Sequence, residues 1–241
     1  MDPAHPPVAI LAGGLATRLH PLTEKIPKAL VPVAGRPFLA HQLELLARQD
    51  FRRVVLCVGH LGEQIEAVFG DGREDGVELD YSYDGGQPIG TAAALRQALP
   101  KLGDVFLVLY GDSYLEIDYR SVVAAFHPLG KPALMTVIEN SRGTETANVR
   151  FEDGNVLVYD KRNPAPEMRH IDYGLGVYRA SVFLDRWSEV VDLSELQTRL
   201  AREGLLAGHE VTRPYFEIGS YRGLEALESN LQGRDRSPQQ P

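Results

Sequence analysis

The chain has 241 residues, 44% of them hydrophobic and 24% charged, enough to bury a sizeable core in one large α/β domain or two small ones, which excludes a disordered polymer. Its formal net charge of −8 argues against nucleic acid as the main partner, since such binders carry a basic face, but leaves room for a small anion in a local basic pocket. The single cysteine, Cys57, excludes an intrachain disulfide and a cysteine metal cluster, the opening MDPAHPP lacks a signal peptide's regions, and no apolar run reaches transmembrane length, so a cytoplasmic protein with no membrane partner is expected.

Strand and helix patterns alternate through the first half. Val8–Leu11 reads as a buried strand, and residues 37–49 as a helix with Leu39, Leu43 and Leu46 on one face. Arg53–Val58 is β-rich, Gly62–Phe69 suits a short helix, and residues 79–83 alternate as a strand. Residues 91–99 place Ala92, Leu95 and Leu99 on one helical face, and Val105–Tyr110 is a continuous apolar run of the doubly covered parallel kind. This order predicts an α/β, Rossmann-like open sheet, mixed but mostly parallel, wrapped by helices.

The second half changes character. NVRFEDGNVLVYD reads as a β-hairpin around Asp153-Gly154-Asn155, and HIDYGLGVYRA as a strand region broken by Gly174 and Gly176. Helical stretches are expected over 180–187 and 194–203, and a last helix through Tyr221, Leu224, Leu227 and Leu231. No repeat or sharp linker divides the chain. One domain is expected over 1–231, with a nucleotide side to about 115 and an acceptor side from 116, followed by a disordered tail over 232–241.

The segment LAGGLATRLHPLTEKIPKALVPVAG follows the first strand. It is neither G-x-x-x-x-G-K-[ST] nor G-x-G-x-x-G. It offers backbone N–H groups with little side-chain obstruction, a surface suited to a triphosphate. Arg18 adds a planar, permanently charged fork for phosphate oxygens, and Lys28 a point charge.

The longer string LAGGLATRLHPLTEKIPKALVPVAGRPFL resembles the signature of the nucleoside-triphosphate:sugar-1-phosphate nucleotidylyltransferases, with Ala16 where glycine is usual. PIGTAAAL, LVLYGDSYL, YDKRNP and YFEIGSYRGLEAL resemble later segments of that family in the same order, across about Val8 to Leu231. The joint presence of YDKRNP and IDYGLGVY is most similar to the heptose-1-phosphate guanylyltransferase branch. The resemblance implies attack by a sugar 1-phosphate on the α-phosphate of an NTP, with magnesium as cofactor and a homodimer as assembly. It implies catalytic roles for Arg18, Lys28 and Asp112. It implies nucleotide contacts from Leu11, Ala12, Gly13, Gly14, Thr17, Arg18, Gly90 and Thr91, with Gln87 a candidate for the base edge. Lys161 would hold the sugar phosphate, and Asn148, Asp172 and Gly174 would face the sugar, although Asn148 could instead order the hairpin. Asp112 and Glu217 would hold the metal, Glu217 standing where aspartate is usual. The histidines show no metal spacing and read as surface or packing residues.

The finer expectation is GTP with D-glycero-D-manno-heptose 1-phosphate. UTP or dTTP with a hexose or amino-sugar 1-phosphate is the main alternative. A nucleotide-dependent oxidoreductase is disfavoured, because the glycine spacing is wrong and no acid follows roughly twenty residues on. A non-catalytic sugar-nucleotide sensor is disfavoured by the presence of Arg18, Lys28 and Asp112 together.

Overall fold

The structure is a computed structural model that describes residues 4–14, 16–85, 87–141, 143, 145–184 and 187–235. Strand β1 (Val8–Leu11) leads through the glycine loop to a small ribbon, β2 (Pro32–Val33) and β3 (Arg36–Pro37). Ala34 and Gly35 both have positive φ there, as a two-residue hairpin turn requires. Helix α1 (Phe38–Arg48), β4 (Arg53–Val58), α2 (Gly62–Phe69), β5 (Glu78–Tyr83), α3 (Thr91–Leu102), β6 (Val105–Tyr110) and β7 (Ser113–Tyr114) complete the first half. The second half holds α4 (Tyr119–Phe126), β8 (Ala133–Glu139), β9 (Val149–Glu152), β10 (Asn155–Tyr159) and β11 (His170–Arg179). It closes with α5 (Leu193–Arg202), β12 (Leu206–Val211), β13 (Phe216–Glu217) and α6 (Tyr221–Asp235).

Nine strands form one sheet in the order β5-β4-β1-β6-β11-β8-β12-β10-β9. Its directions are mixed: β10 and β11 run against the rest. Alternating side chains feed two cores. Val8 and Ile10 pack on one face with α1, α2 and α4, while Ala9, Val55 and Cys57 pack on the other with α3 and α5. Each fully buried leucine, such as Leu39, Leu43 and Leu46 of α1, contributes about 1.5–3 kcal/mol relative to exposure. Burial pushes the Cys57 thiol up to about 12, so it stays an inert core residue. A third cluster, including Val33, Phe38, Tyr114, Ile218 and Leu227, fastens α6 to the small ribbons.

Several expectations need correction. Gly174 and Gly176 do not break β11; the strand runs through them, and its pairing with β8 shifts register between Asp172 and Gly176. A bulge absorbs the disturbance because pairing resumes on both sides of it. The helical stretch expected over 180–187 is a short 3-10 turn at Ala180–Phe183, and residues 185 and 186 lie outside the described residues. The expected tail begins too early, since α6 continues to Asp235; residues 236–241 lie outside the described residues. Elements α4, β8 and β12 had no counterpart in the expected order. No helix among the described residues is long and apolar enough to cross a membrane.

Candidate active site

The glycine loop leaves β1 at Leu11, with Ala12 N–H donating to the Cys57 carbonyl at 2.9 Å. Ala16 takes a left-handed conformation, φ 49° and ψ 39°. That geometry is the reason a glycine suits the position; a side chain there costs about 1–2 kcal/mol. The Ala16 carbonyl accepts from Leu19 N–H at 3.0 Å and from the Thr23 hydroxyl at 2.8 Å, which holds the turn. The next residues form a 3-10 turn carrying Thr17 and Arg18, and a second turn from Lys28 to Leu30 carries the lysine.

Lys28 Nζ lies 2.8 Å from Asp112 Oδ2, and this pair is largely screened from solvent. Asp112 follows β6 and Gly111. A Cβ on Gly111 would stand 2.2 Å from the Leu11 carbonyl oxygen, so only glycine lets the ends of β1 and β6 close on each other. The β7–β13 ribbon then sets Glu217 opposite Ser113, and Ile218 N–H donates to the Asp112 carbonyl at 2.9 Å. Glu217 Oε1 accepts from Arg18 at 3.2 Å. Gly219 leaves this pair its space, since a Cβ there would lie 2.2 Å from Glu217 Oε1 and 2.9 Å from the Arg18 guanidinium.

Burial, then the charge of Asp112, pushes the Glu217 carboxyl above the usual range, against the pull of Lys28 and Arg18. Two mutually repelling carboxylates with oxygen-only donors fit a hard divalent cation that takes its remaining ligands from phosphate and water. No group of three or more His, Cys, Asp or Glu side chains that could hold a metal occurs among the described residues.

A third ion pair lies beyond Asp112. Lys161 Nζ is 3.2 Å from Asp172 Oδ2, whose side chain is 2% exposed. The Asp172 carboxylate also accepts from the Tyr110 hydroxyl at 2.7 Å, the Tyr159 hydroxyl at 3.1 Å and Gly174 N–H at 3.1 Å. Lys161 sits over the Tyr110 ring at 5.1 Å and the Tyr159 ring at 5.8 Å. The carboxylate is therefore engaged in holding Lys161. Asn148 accepts from Asp172 N–H at 3.0 Å through its side-chain oxygen.

Two adjoining cavities, of about 490 and 290 Å³, share Arg18, Tyr110, Asp112 and Lys161 in their walls. Leu11, Ala12, Gly14, Thr17, Lys28 and Thr91 line the larger one. Asn148, Asp172, Gly174 and Glu217 line the smaller. Gly13, Gln87 and Gly90 line neither. Gln87 is exposed. Gly90 has φ 89°, and a Cβ on it would lie 2.5 Å from the Val191 carbonyl oxygen, so protein packing alone demands glycine there. That carbonyl accepts from Ala92 and Ala93, while Leu193 N–H donates to the Thr91 hydroxyl at 2.8 Å. The segment Asp192–Ser194, Tyr110 and Tyr159 were not among the expected site residues. The tyrosines end apolar strands, and the sequence signal for them is only that each lies inside a quoted segment, Tyr110 in LVLYGDSYL and Tyr159 in YDKRNP.

A family profile described as nucleotidyl transferase matches residues 8–197. A UTP–glucose-1-phosphate uridylyltransferase from Synechocystis is 30% identical over 70% of this chain, which spans 47% of that relative. An N-acetylmuramate α-1-phosphate uridylyltransferase from Neisseria meningitidis is 30% identical over 91% of this chain and 96% of the relative. The crystal structure of HddC from Yersinia pseudotuberculosis complexed with GMP-PN superposes with a TM-score of 0.79 at 22% identity, covering 94% of this chain and 99% of that one; this likeness shows the fold.

Proposed function

The chain belongs to the nucleotidyl transferase family, and we propose that it transfers a nucleoside monophosphate from an NTP to a sugar 1-phosphate. The observation that carries this is the set of three cation–carboxylate pairs, Arg18–Glu217, Lys28–Asp112 and Lys161–Asp172, around two adjoining cavities. An oxygen of the sugar phosphate attacks the α-phosphorus, a new P–O bond forms, and pyrophosphate leaves with the electrons of the broken bond. Two polyanions must be brought together, so positioning and charge neutralisation dominate. Arg18 faces the leaving pyrophosphate, Lys28 the α-phosphate, and Lys161 the acceptor phosphate. Asp112 and Glu217 would hold magnesium, which when bound neutralises charge on the phosphate oxygens. As substrates fill the cavities, the cations exchange carboxylate partners for phosphate.

The finer proposal is GTP with D-glycero-D-manno-heptose 1-phosphate, resting on YDKRNP and IDYGLGVY. A second reading, UTP with a hexose or amino-sugar 1-phosphate, is favoured by the uridylyltransferase matched along nearly its whole length. A panel of four NTPs against sugar 1-phosphates, read by pyrophosphate release with Asp112→Asn as control, tests both. Release for no pair would overturn the transferase; a clear UTP preference would replace the guanylyl reading.

A further inference from the structure

A third cavity, of about 450 Å³, adjoins the smaller of the two at the site, and Glu145, Ile171 and Tyr215 are walls of both. Strand register explains the continuity. Asp172, which holds Lys161, is preceded on β11 by Ile171, which pairs with Ile138 of β8; Ile138 in turn pairs with Val211 of β12. Strands β8 and β12 are parallel and end here, at Glu139 and Val211. Ligands of open α/β sheets sit outside such carboxyl ends.

The partition between these two cavities has one anchored side and one exposed side. Tyr215 is half-buried and packs edge-on against the Tyr173 ring at 5.6 Å. Glu145 is exposed. Burial, then the Glu145 carboxylate beside it, pushes the Tyr215 hydroxyl above its ordinary range, so the two side chains meet. An exposed side chain reorients more readily than a packed ring, which puts the opening on the Glu145 side. Beyond it the wall is chemically one-sided. With Glu145 it carries three carboxylates, the others being Glu139 and Glu210, and no lysine, arginine or histidine stands among its described residues. His170, outside that wall, holds Glu210 at 3.2 Å. Carboxylates only accept hydrogen bonds, whereas Asn140, Ser141 and Thr212, in the same wall, both donate and accept.

We propose that this third cavity receives the exocyclic chain of the acceptor sugar and selects one that is uncharged and hydroxylated. Lys161, in the wall of the smaller cavity, holds the acceptor phosphate, and the chain passes between Tyr215 and Glu145. Hydroxyl groups donate and accept, as the mixed wall requires. An ammonium only donates and leaves the donors of Asn140, Ser141 and Thr212 unused. An anion faces three carboxylates and is repelled. The more hydroxylated carbons the chain carries past Tyr215, the more of these groups it meets, so longer polyol chains bind better. This names the acceptor class of the transferase proposed above, and it rests on that proposal.

The test uses three acceptors of one ring configuration that differ only in this chain: mannose 1-phosphate, D-glycero-D-manno-heptose 1-phosphate, which is longer by one CHOH, and mannuronate 1-phosphate, which ends in a carboxylate. Equilibrium binding is measured alongside kcat/KM for wild type, Thr212→Trp and Glu139→Lys, each checked for an unchanged melting curve. Wild type should favour the heptose over mannose by about 10-fold or more and take mannuronate worst. Thr212→Trp, whose ring fills the cavity from an exposed position, should bring the heptose/mannose ratio near unity. Glu139→Lys should raise the mannuronate/mannose ratio. Equal binding of heptose and mannose by wild type, a wild-type preference for mannuronate, or ratios that neither variant moves would overturn the assignment. Heptose-selective binding with no pyrophosphate release from any NTP would keep the cavity's role and count against the transferase alone; release with the three acceptors used equally would do the reverse.

Discussion

Arg18 and Lys161 both line the two cavities beside Asp112, but their surroundings divide the work between them. The Arg18 side chain is 72% exposed and, among the described residues, pairs with Glu217, whereas Lys161 is clamped between two tyrosine rings and Asp172. Hydrogen bonds to charged groups are worth about 1.5–3 kcal/mol, so removing either should cost roughly 10- to 100-fold. Arg18→Ala should raise the KM for NTP, and Lys161→Ala the KM for the sugar phosphate; steady-state kinetics in which both variants weaken the same substrate would refute the two-sided arrangement. Glu217 makes a pH prediction. Its folded carboxyl titrates above its unfolded value, chiefly through burial. The folded protein then binds more protons than the unfolded one in that window, so this group's contribution to stability falls as pH rises through it. Glu217→Gln should melt above wild type near neutral pH, the gap closing as pH falls toward 4.5, while turnover drops about 10²-fold or more. A pH-independent gap would contradict the burial argument. Arg18 and Lys28 were legible from residue type in the glycine-rich segment, whereas Asp112, Lys161 and Glu217 were legible only through the resemblance of their segments to the family's.

The bulge in β11 shows how an element is bent to serve the site. Between Asp172 and Gly176 the pairing with β8 slips, and Gly174 takes φ 96° with its N–H on the Asp172 carboxylate. A Cβ on Gly174 would meet Ser113 Oγ at 2.9 Å. Gly174→Ala should therefore destabilise the protein by about 1–3 kcal/mol, as strained backbone does, and also raise the sugar-phosphate KM by loosening the clamp on Lys161. Chemical denaturation and kinetics measure the two effects; loss of stability with unchanged KM would separate the bulge from the site. At this scale the first half was readable, because strands of period two alternate with helices whose leucines recur at helical spacing. The unexpected β8, ALMTVIE, is buried over its first five residues, and a short, mostly apolar run without alternation looks alike as strand or helix. The expected break at Gly174 and Gly176 misjudged glycine, which in a strand marks a bulge as readily as an end.

Across the whole molecule the site is built from distant parts of the chain. The family match ends at residue 197, yet Glu217 and Gly219, in the walls of the candidate site, lie beyond it. Leu227 of α6, fully buried, helps pin them to the ribbons. That far-end contribution was readable as residue types in YFEIGSYRGLEAL, but not as geometry. Arg18 and Glu217 are 199 positions apart. The folding of the chain therefore has an order imposed on its chemistry. Contacts between distant residues must overcome the entropy of closing a long loop, and larger chains gather secondary structure before such contacts form. On dilution from denaturant, far-UV ellipticity should recover ahead of turnover, as stopped-flow measurements and timed assays would record; simultaneous recovery would mean that the terminal ribbon docks with the first collapse. A chain emerging from the ribosome would by the same logic lack a complete candidate site until β13 arrived.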